Sequence, residues 1–120
     1  MKQCDTYWAK IYLGLNPGYE KVTDGLINSR KNRVIDYCKS YCDDIGLCVT
    51  IDDTEFIYTK GHEKGLVIGL INYPRFPKSR TQIDIYAVNL ATALKELCQQ
   101  NRVSIMYPDK TIMLENDEEV

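Results

Sequence analysis

The sequence predicts an α+β fold, two helices packed on one face of a mostly antiparallel sheet, in the order β-α-β-β-β-α-β-β. Three observations carry that reading. Residues 8–15 alternate, with Ala9, Ile11, Leu13 and Leu15 on one face. Residues 81–100 repeat apolar positions at helical spacing. The remaining apolar runs are short and separated by polar or Gly-rich breaks, as strands joined by turns are.

The first strand, residues 8–15, stops at Asn16-Pro17-Gly18, and a polar stretch without periodicity runs to about residue 28. A connection of that length marks either a functional or a mobile loop. Helix one is expected from about Ser29, with Val34, Tyr37, Cys38, Tyr41 and Ile45 as its apolar stripe and Gly46 as its stop. Leu47, Val49 and Ile51 alternate as a second strand. Asp52-Asp53-Thr54 interrupts the pattern before it resumes over residues 55–59, so a turn is expected there, with a bulge inside one longer strand as the alternative.

Gly61-His62-Glu63-Lys64-Gly65 reads as a further turn, leading into the continuous apolar run 66–71, a central strand covered on both faces. Helix two is expected over about residues 81–100, with Ile83, Tyr86, Ala87, Leu90, Ala91, Leu94, Leu97 and Cys98 on its buried face. Ser79 and Gln82 form a capping box at its start. A strand over 102–107, a turn at Pro108-Asp109 and a short return strand over 111–114 complete the chain. If Asp52-Asp53 is only a bulge, the order becomes βαββαβ plus a C-terminal hairpin, which resembles the ferredoxin-like fold in element order.

A chain of 120 residues, 44% apolar and 27% charged, is expected to form one domain over 1–114, with a frayed acidic tail over 115–120. The net charge of −2 excludes non-specific binding of nucleic acid or membrane over the whole surface. No apolar run approaches the roughly 20 residues that span a bilayer, so no membrane partner is expected. Five cysteines, with no C-x-x-C pair and no apolar leader, predict reduced thiols and a cytoplasmic location. Richness in Ile, Tyr, Lys and Asn fits a bacterial or phage source.

The stretch 72–80 is the richest in chemistry. It carries Arg75, Lys78 and Arg80, no carboxylate, and prolines on either side of the Arg75-Phe76 pair. A rigid positive loop ahead of a helix N-terminus suits an anion, and a guanidinium takes phosphate bidentately. A second basic region, with Lys21, Arg30, Lys31 and Arg33, joins it in one pocket only if residues 47–71 form a three-strand meander. The expected ligand-binding set is Arg75, Lys78, Arg80 and Ser79 for phosphate, Tyr73 or Tyr19 for stacking, Asn72 or Asn16 for polar edges, and Arg33 from the second loop. These same cations read more simply as solvated surface charge, and Arg75 as an ion pair with Asp52, Asp53 or Asp84.

Other candidates have plainer explanations. His62 is the only histidine and sits in a Gly-flanked turn. Asp52-Asp53 suits turn chemistry better than a metal site, and Cys38 and Cys42 belong to a core stripe. No catalytic set, cofactor fingerprint or metal-ligand set is visible. The expected function is a small binding protein that captures a phosphorylated small molecule, foremost a nucleotide. The alternative is a protein-binding inhibitor or adaptor that uses a strand edge and surface tyrosines. A phosphodiesterase or nuclease through His62 or Asp52-Asp53 is third. Nine tyrosines also suit a subunit interface, so a homo-oligomer is expected.

Overall fold

The computed structural model describes residues 1–17 and 21–116. Its elements are β1 (Trp8–Gly14), α1 (Asp24–Ile45), β2 (Val49–Tyr58), β3 (Gly61–Ile71), α2 (Arg80–Leu97), β4 (Arg102–Met106) and β5 (Thr111–Glu115). The strands form one five-stranded antiparallel sheet in the order β2-β3-β1-β4-β5, with both helices on one face. The predicted fold class stands, and the strand order is the ferredoxin-like alternative with its C-terminal hairpin. Among the described residues no helix is long and apolar enough to cross a membrane.

The turn expected at Asp52-Asp53 does not exist. β2 runs unbroken, pairing Val49 with Leu70 through to Tyr58 with Gly61. Two consecutive aspartates survive in a strand here because β2 is the sheet edge and both side chains reach solvent. Asp53 also accepts from Nζ of Lys31 at 2.7 and 2.9 Å. The turn expected over 61–65 is likewise a strand, and the reversal falls at Thr59-Lys60, where Lys60 takes φ +61°. β3 is an interior strand, yet helices cover only one of its faces: Leu66, Ile68 and Leu70 are buried, whereas Val67 and Ile71 on the other face are half-buried.

α1 begins at Asp24, about one turn before the expected start. Thr23 caps it, accepting from the amide of Leu26 at 3.1 Å, and Asp24 adds a favourable first-turn charge. Its buried stripe is Ile27, Arg30, Val34 and Cys38, while Tyr37, expected in the stripe, is exposed. Gly46 ends it at φ +76°, a conformation that glycine adopts without strain. α2 carries the expected capping box: Ser79 accepts from the amide of Gln82 at 3.1 Å and Gln82 returns the bond at 2.9 Å. Leu90 and Leu94 at the centre of its stripe are fully buried in the core that also holds Ile11, Leu13, Ile68 and Ile105. Burying each such side chain contributes about 1.5–3 kcal/mol.

This topology decides where the loops go. With a single hairpin between the helices, α1 starts where β1 ends and α2 starts at the other end of the strands. The two basic regions are therefore separated by the length of the sheet.

Candidate functional site

The residues of the expected phosphate site make structural contacts of their own. Nζ of Lys78 donates to the carbonyls of Gly46 at 2.8 Å and Phe76 at 3.3 Å, tying off the end of α1. The Asn72 amide donates to the Asp5 carbonyl at 2.7 Å and accepts from the Lys78 amide at 2.8 Å. The Ser79 hydroxyl is spent on its helix. Arg80 lies over the Tyr7 ring at 4.9 Å, and exposed Arg75 lies over the Phe76 ring at 5.3 Å. Tyr73 is exposed and packs on Phe76 across the tight turn that joins them.

At the opposite end, Arg33 is exposed on α1, and Tyr19 lies outside the described residues. Arg30, counted from sequence among the cations of the loop and the start of helix one, is buried and committed to backbone carbonyls. His62 does meet a carboxylate, Oε1 of Glu55, at 2.7 Å, but both side chains are more than half exposed on the outer hairpin. No group of three or more His, Cys, Asp or Glu among the described residues is placed to hold a metal ion.

A different site emerges on the helix-free face. β1 stops where Gly14 pairs with Gly65, while the β2–β3 hairpin continues past it from Glu55↔Lys64 to Tyr58↔Gly61. On the other side β4 begins level with Gly14. The shorter middle strand leaves a cleft of about 450 Å³ between the overhanging hairpin and β4. Strand alternation puts Tyr12, Phe56, Tyr58, Glu63 and Ser104 on this face, and residues 100–102 close the far wall. Asn16 lines the cleft too, so one residue of the sequence-derived set lies here.

Three glycines shape it. A Cβ at Gly61 would fall 1.9 Å from the Tyr58 ring, and one at Gly65 would fall 2.2 Å from the Phe56 ring. Both rings therefore lie against bare backbone, and Phe56 meets Tyr12 edge to face at 6.4 Å between centroids. A Cβ at Gly14 would fall 2.9 Å from Oε1 of Gln100 and 3.1 Å from Oε2 of Glu63. Two acceptor oxygens thus converge beside a backbone that carries no side chain.

Gln100 is held in place because its Nε2 donates to the carbonyls of Asn16 at 2.8 Å and Cys98 at 3.2 Å. The Glu63 side chain makes no hydrogen bond to another described residue, and burial pushes its carboxyl above the usual carboxylate range. At the far wall Arg102 pairs with Glu115 at 3.3 Å. Chemically the cleft offers flat aromatic surface and acceptors that ask for a ligand's N–H or O–H groups. Glu63, Gln100 and the three glycines were missed from sequence. The available signal was glycine inside a strand-like run opposite aromatic residues, which marks close approach to the backbone.

Solved structures share this architecture. A phage SAM lyase in complex with S-methyl-5'-thioadenosine superposes with TM-score 0.67 at 14% identity, over 96% of this chain and 93% of that one. The phage SAM lyase in its apo state gives TM-score 0.64 at 16% identity, over 95% and 92%. A DUF3240 family protein from Shewanella baltica gives TM-score 0.44 at 11% identity, over 98% and 97%, too loose a match to carry argument. No protein-family model and no curated protein matches the chain. For the two phage SAM lyase structures the likeness shows a common fold.

Proposed function

We propose that this protein binds a small molecule of the nucleoside class, foremost an adenosine carrying sulfur at its 5' position, in the cleft of the helix-free face. The carrying observation is the pairing of the Tyr12–Phe56–Tyr58 rings with the acceptor oxygens of Glu63 and Gln100 beside Gly14. A purine stacks on such rings for about 1–3 kcal/mol per base. A ribose diol or an amine donates to a carboxylate that otherwise sits partly desolvated without a partner. The S-methyl-5'-thioadenosine held by the similarly folded phage SAM lyase has both features, a purine and a diol, which supports the reading.

The phosphorylated ligand suggested by the sequence is the weaker form of this proposal. A phosphate beside Glu63 meets like charge, and at the other end Arg75 and Arg80 are stacked on the Phe76 and Tyr7 rings. The expected homo-oligomer remains part of the proposal. Its support is Met106, Met113 and Tyr58, exposed on the helix-free face. Light scattering of the free and ligand-bound chain tests it.

Calorimetry with S-methyl-5'-thioadenosine, S-adenosylmethionine, adenosine, AMP and ATP tests the ligand class. The sulfur nucleosides are expected to bind at least tenfold more tightly than AMP or ATP, and Phe56→Ala to weaken them by a similar factor. Binding of AMP or ATP equal to that of the nucleosides, or no nucleoside binding at all, overturns the assignment.

A further inference from the structure

We infer that Gln100 and Asn16 read the edge of the base in the cleft and select a 6-aminopurine over a 6-oxopurine, a step that rests on the assignment of the cleft to a nucleoside. Four carboxamides among the described residues line that cleft: Asn16, Gln99, Gln100 and Asn101. A carboxamide has donors at one end and an acceptor at the other. What it presents to a ligand therefore depends on which end the fold has already engaged.

In three of the four the oxygen is engaged. Oδ1 of Asn16 accepts from the backbone amide of Lys64 at 3.2 Å. Oε1 of Gln99 accepts from Nη2 of Arg30 at 3.1 Å. Oδ1 of Asn101 accepts from Nδ2 of Asn116 at 3.1 Å, and Nζ of Lys95 holds the oxygen of that same Asn116 side chain, which fixes the direction. The side-chain nitrogens of Asn16, Gln99 and Asn101 make no hydrogen bond to another described residue.

Gln100 is reversed. Its Nε2 donates to the carbonyls of Asn16 at 2.8 Å and Cys98 at 3.2 Å. A backbone carbonyl only accepts, so the nitrogen must face them and Oε1 is the open end. A Cβ at Gly14 would lie 2.9 Å from that oxygen, and the bare backbone gives it room.

These amides thus present one fixed, uncharged acceptor among donors. Asn16 is its direct neighbour, because the Asn16 carbonyl holds the Gln100 nitrogen. An acceptor beside a donor complements the edge of adenine, where an exocyclic amine stands beside a ring nitrogen. A 6-oxopurine with its sugar in the same place turns an oxygen toward Gln100 Oε1. The carboxamide cannot answer by flipping, since both of its Nε2 hydrogens are held. Two acceptors then face each other without a proton between them, which costs the wrong base its affinity. Glu63 is left for the ribose, where a carboxylate accepts from two hydroxyls at once.

Calorimetry on the full chain compares S-methyl-5'-thioadenosine with its 6-oxo and 6-unsubstituted purine analogues. Each analogue is expected to bind at least tenfold more weakly. Gln100→Met removes the acceptor, while Arg30 still donates to the Cys98 and Asn16 carbonyls. That variant is expected to bring the three ligands within about threefold of one another. Asn16→Asp keeps the oxygen that meets the Lys64 amide but replaces the donor by an acceptor, and is expected to weaken S-methyl-5'-thioadenosine at least tenfold. Phe56→Ala is expected to weaken all three ligands and preserve their ratios, as lost stacking does. Equal binding of the three ligands by the wild type, wild-type ratios in Gln100→Met, or unchanged affinity in Asn16→Asp overturns the inference and leaves the nucleoside assignment standing. Failure of all three to bind the wild type overturns both.

Discussion

Arg30 donates through Nη1 to the carbonyl oxygen of Cys98 at 2.7 Å, across 68 residues of sequence. The same nitrogen reaches the carbonyls of Leu15 at 3.2 Å and Asn16 at 3.4 Å, and Nη2 reaches Oε1 of Gln99 at 3.1 Å. One buried guanidinium thus joins the first turns of α1, the end of β1 and the end of α2. The carbonyls at a helix C-terminus carry partial negative charge, so the cation is well matched there. Asn16 and Gln100 line the cleft proposed to bind a nucleoside, and Arg30 fixes the backbone on which both depend.

Replacing Arg30 by methionine keeps most of the side-chain volume but strands the buried carbonyl of Leu15 and leaves that of Cys98 only the longer bond from Gln100 Nε2 at 3.2 Å. An unsatisfied buried acceptor costs about 1–3 kcal/mol, so a loss of that size is expected in urea melts. A loss below about 1 kcal/mol would show that water replaces the guanidinium.

Arg30 also shows what the sequence hides. Its neighbours Ser29, Lys31, Asn32 and Arg33 are polar, so it reads as one more surface cation, and only the carbonyls brought from distant segments make it interior. The α2 stripe was legible because Ile83, Leu90 and Leu94 obey a local period that any core-facing helix must obey. Asp52-Asp53 was misread because turn propensity is also local, whereas exposure on a sheet edge is a property of topology. That one misreading moved the predicted basic loops together. Gly61 and Gly65 were read as turn punctuation for the same reason: the rings they accommodate belong to the opposite strand.

The glycines allow fold and site to be separated. A Cβ at Gly65 would lie 2.5 Å from the Leu13 carbonyl as well as 2.2 Å from the Phe56 ring. Backbone cannot yield as a side chain does, so Gly65→Ala should cost about 1–3 kcal/mol through overpacking and weaken nucleoside binding by moving Phe56. At Gly14 the obstructing atoms are side-chain ends: the Glu63 carboxylate rotates away, and Gln100 shifts by loosening its bonds to the Asn16 and Cys98 carbonyls. Gly14→Ala should therefore lower the melting temperature less than Gly65→Ala does while reducing affinity at least tenfold. Parallel thermal melts and calorimetry check both, and equal stability losses would remove the distinction.

Tyr7 supplies a pH signature of the fold. Burial, then the hydrogen bond it donates to Oδ1 of Asp84 at 2.7 Å, pushes its phenol up to about 12. In the unfolded chain the phenol ionises near its ordinary value of about 10. The folded state holds the proton longer, so this stabilisation is complete below the unfolded value and is lost as pH rises through the folded one. Tyr7→Phe is expected to flatten the decline in stability between about pH 10 and 12. Denaturant melts across that range give the slope, and identical slopes would assign the alkaline loss to other groups, such as Cys38.

Glu63 should reveal a site by the opposite signs of its effects on stability and binding. Burial raises its carboxyl above the ordinary range, so the folded, ligand-free chain favours the protonated form more than the unfolded chain does. The linkage then contributes stability below the unfolded value and loses it as pH rises through the folded one. At neutral pH the charged carboxylate is a burden on the empty protein, and Glu63→Gln is expected to raise the melting temperature slightly. That gain should disappear in acid, where Glu63 is neutral in both states. Binding runs the other way. A ribose diol or a cationic sulfur nucleoside gains from the ionised carboxylate, so Glu63→Gln should weaken S-methyl-5'-thioadenosine and S-adenosylmethionine about tenfold or more, in line with the loss of a charge-assisted hydrogen bond. Wild-type affinity should fall as pH drops through the raised Glu63 range, at higher pH than an ordinary carboxylate would produce, while the variant stays flat. Calorimetry of both proteins across acidic and neutral pH provides the comparison. A variant that is less stable at neutral pH, or one whose affinity keeps the wild-type pH dependence, would remove Glu63 from the site.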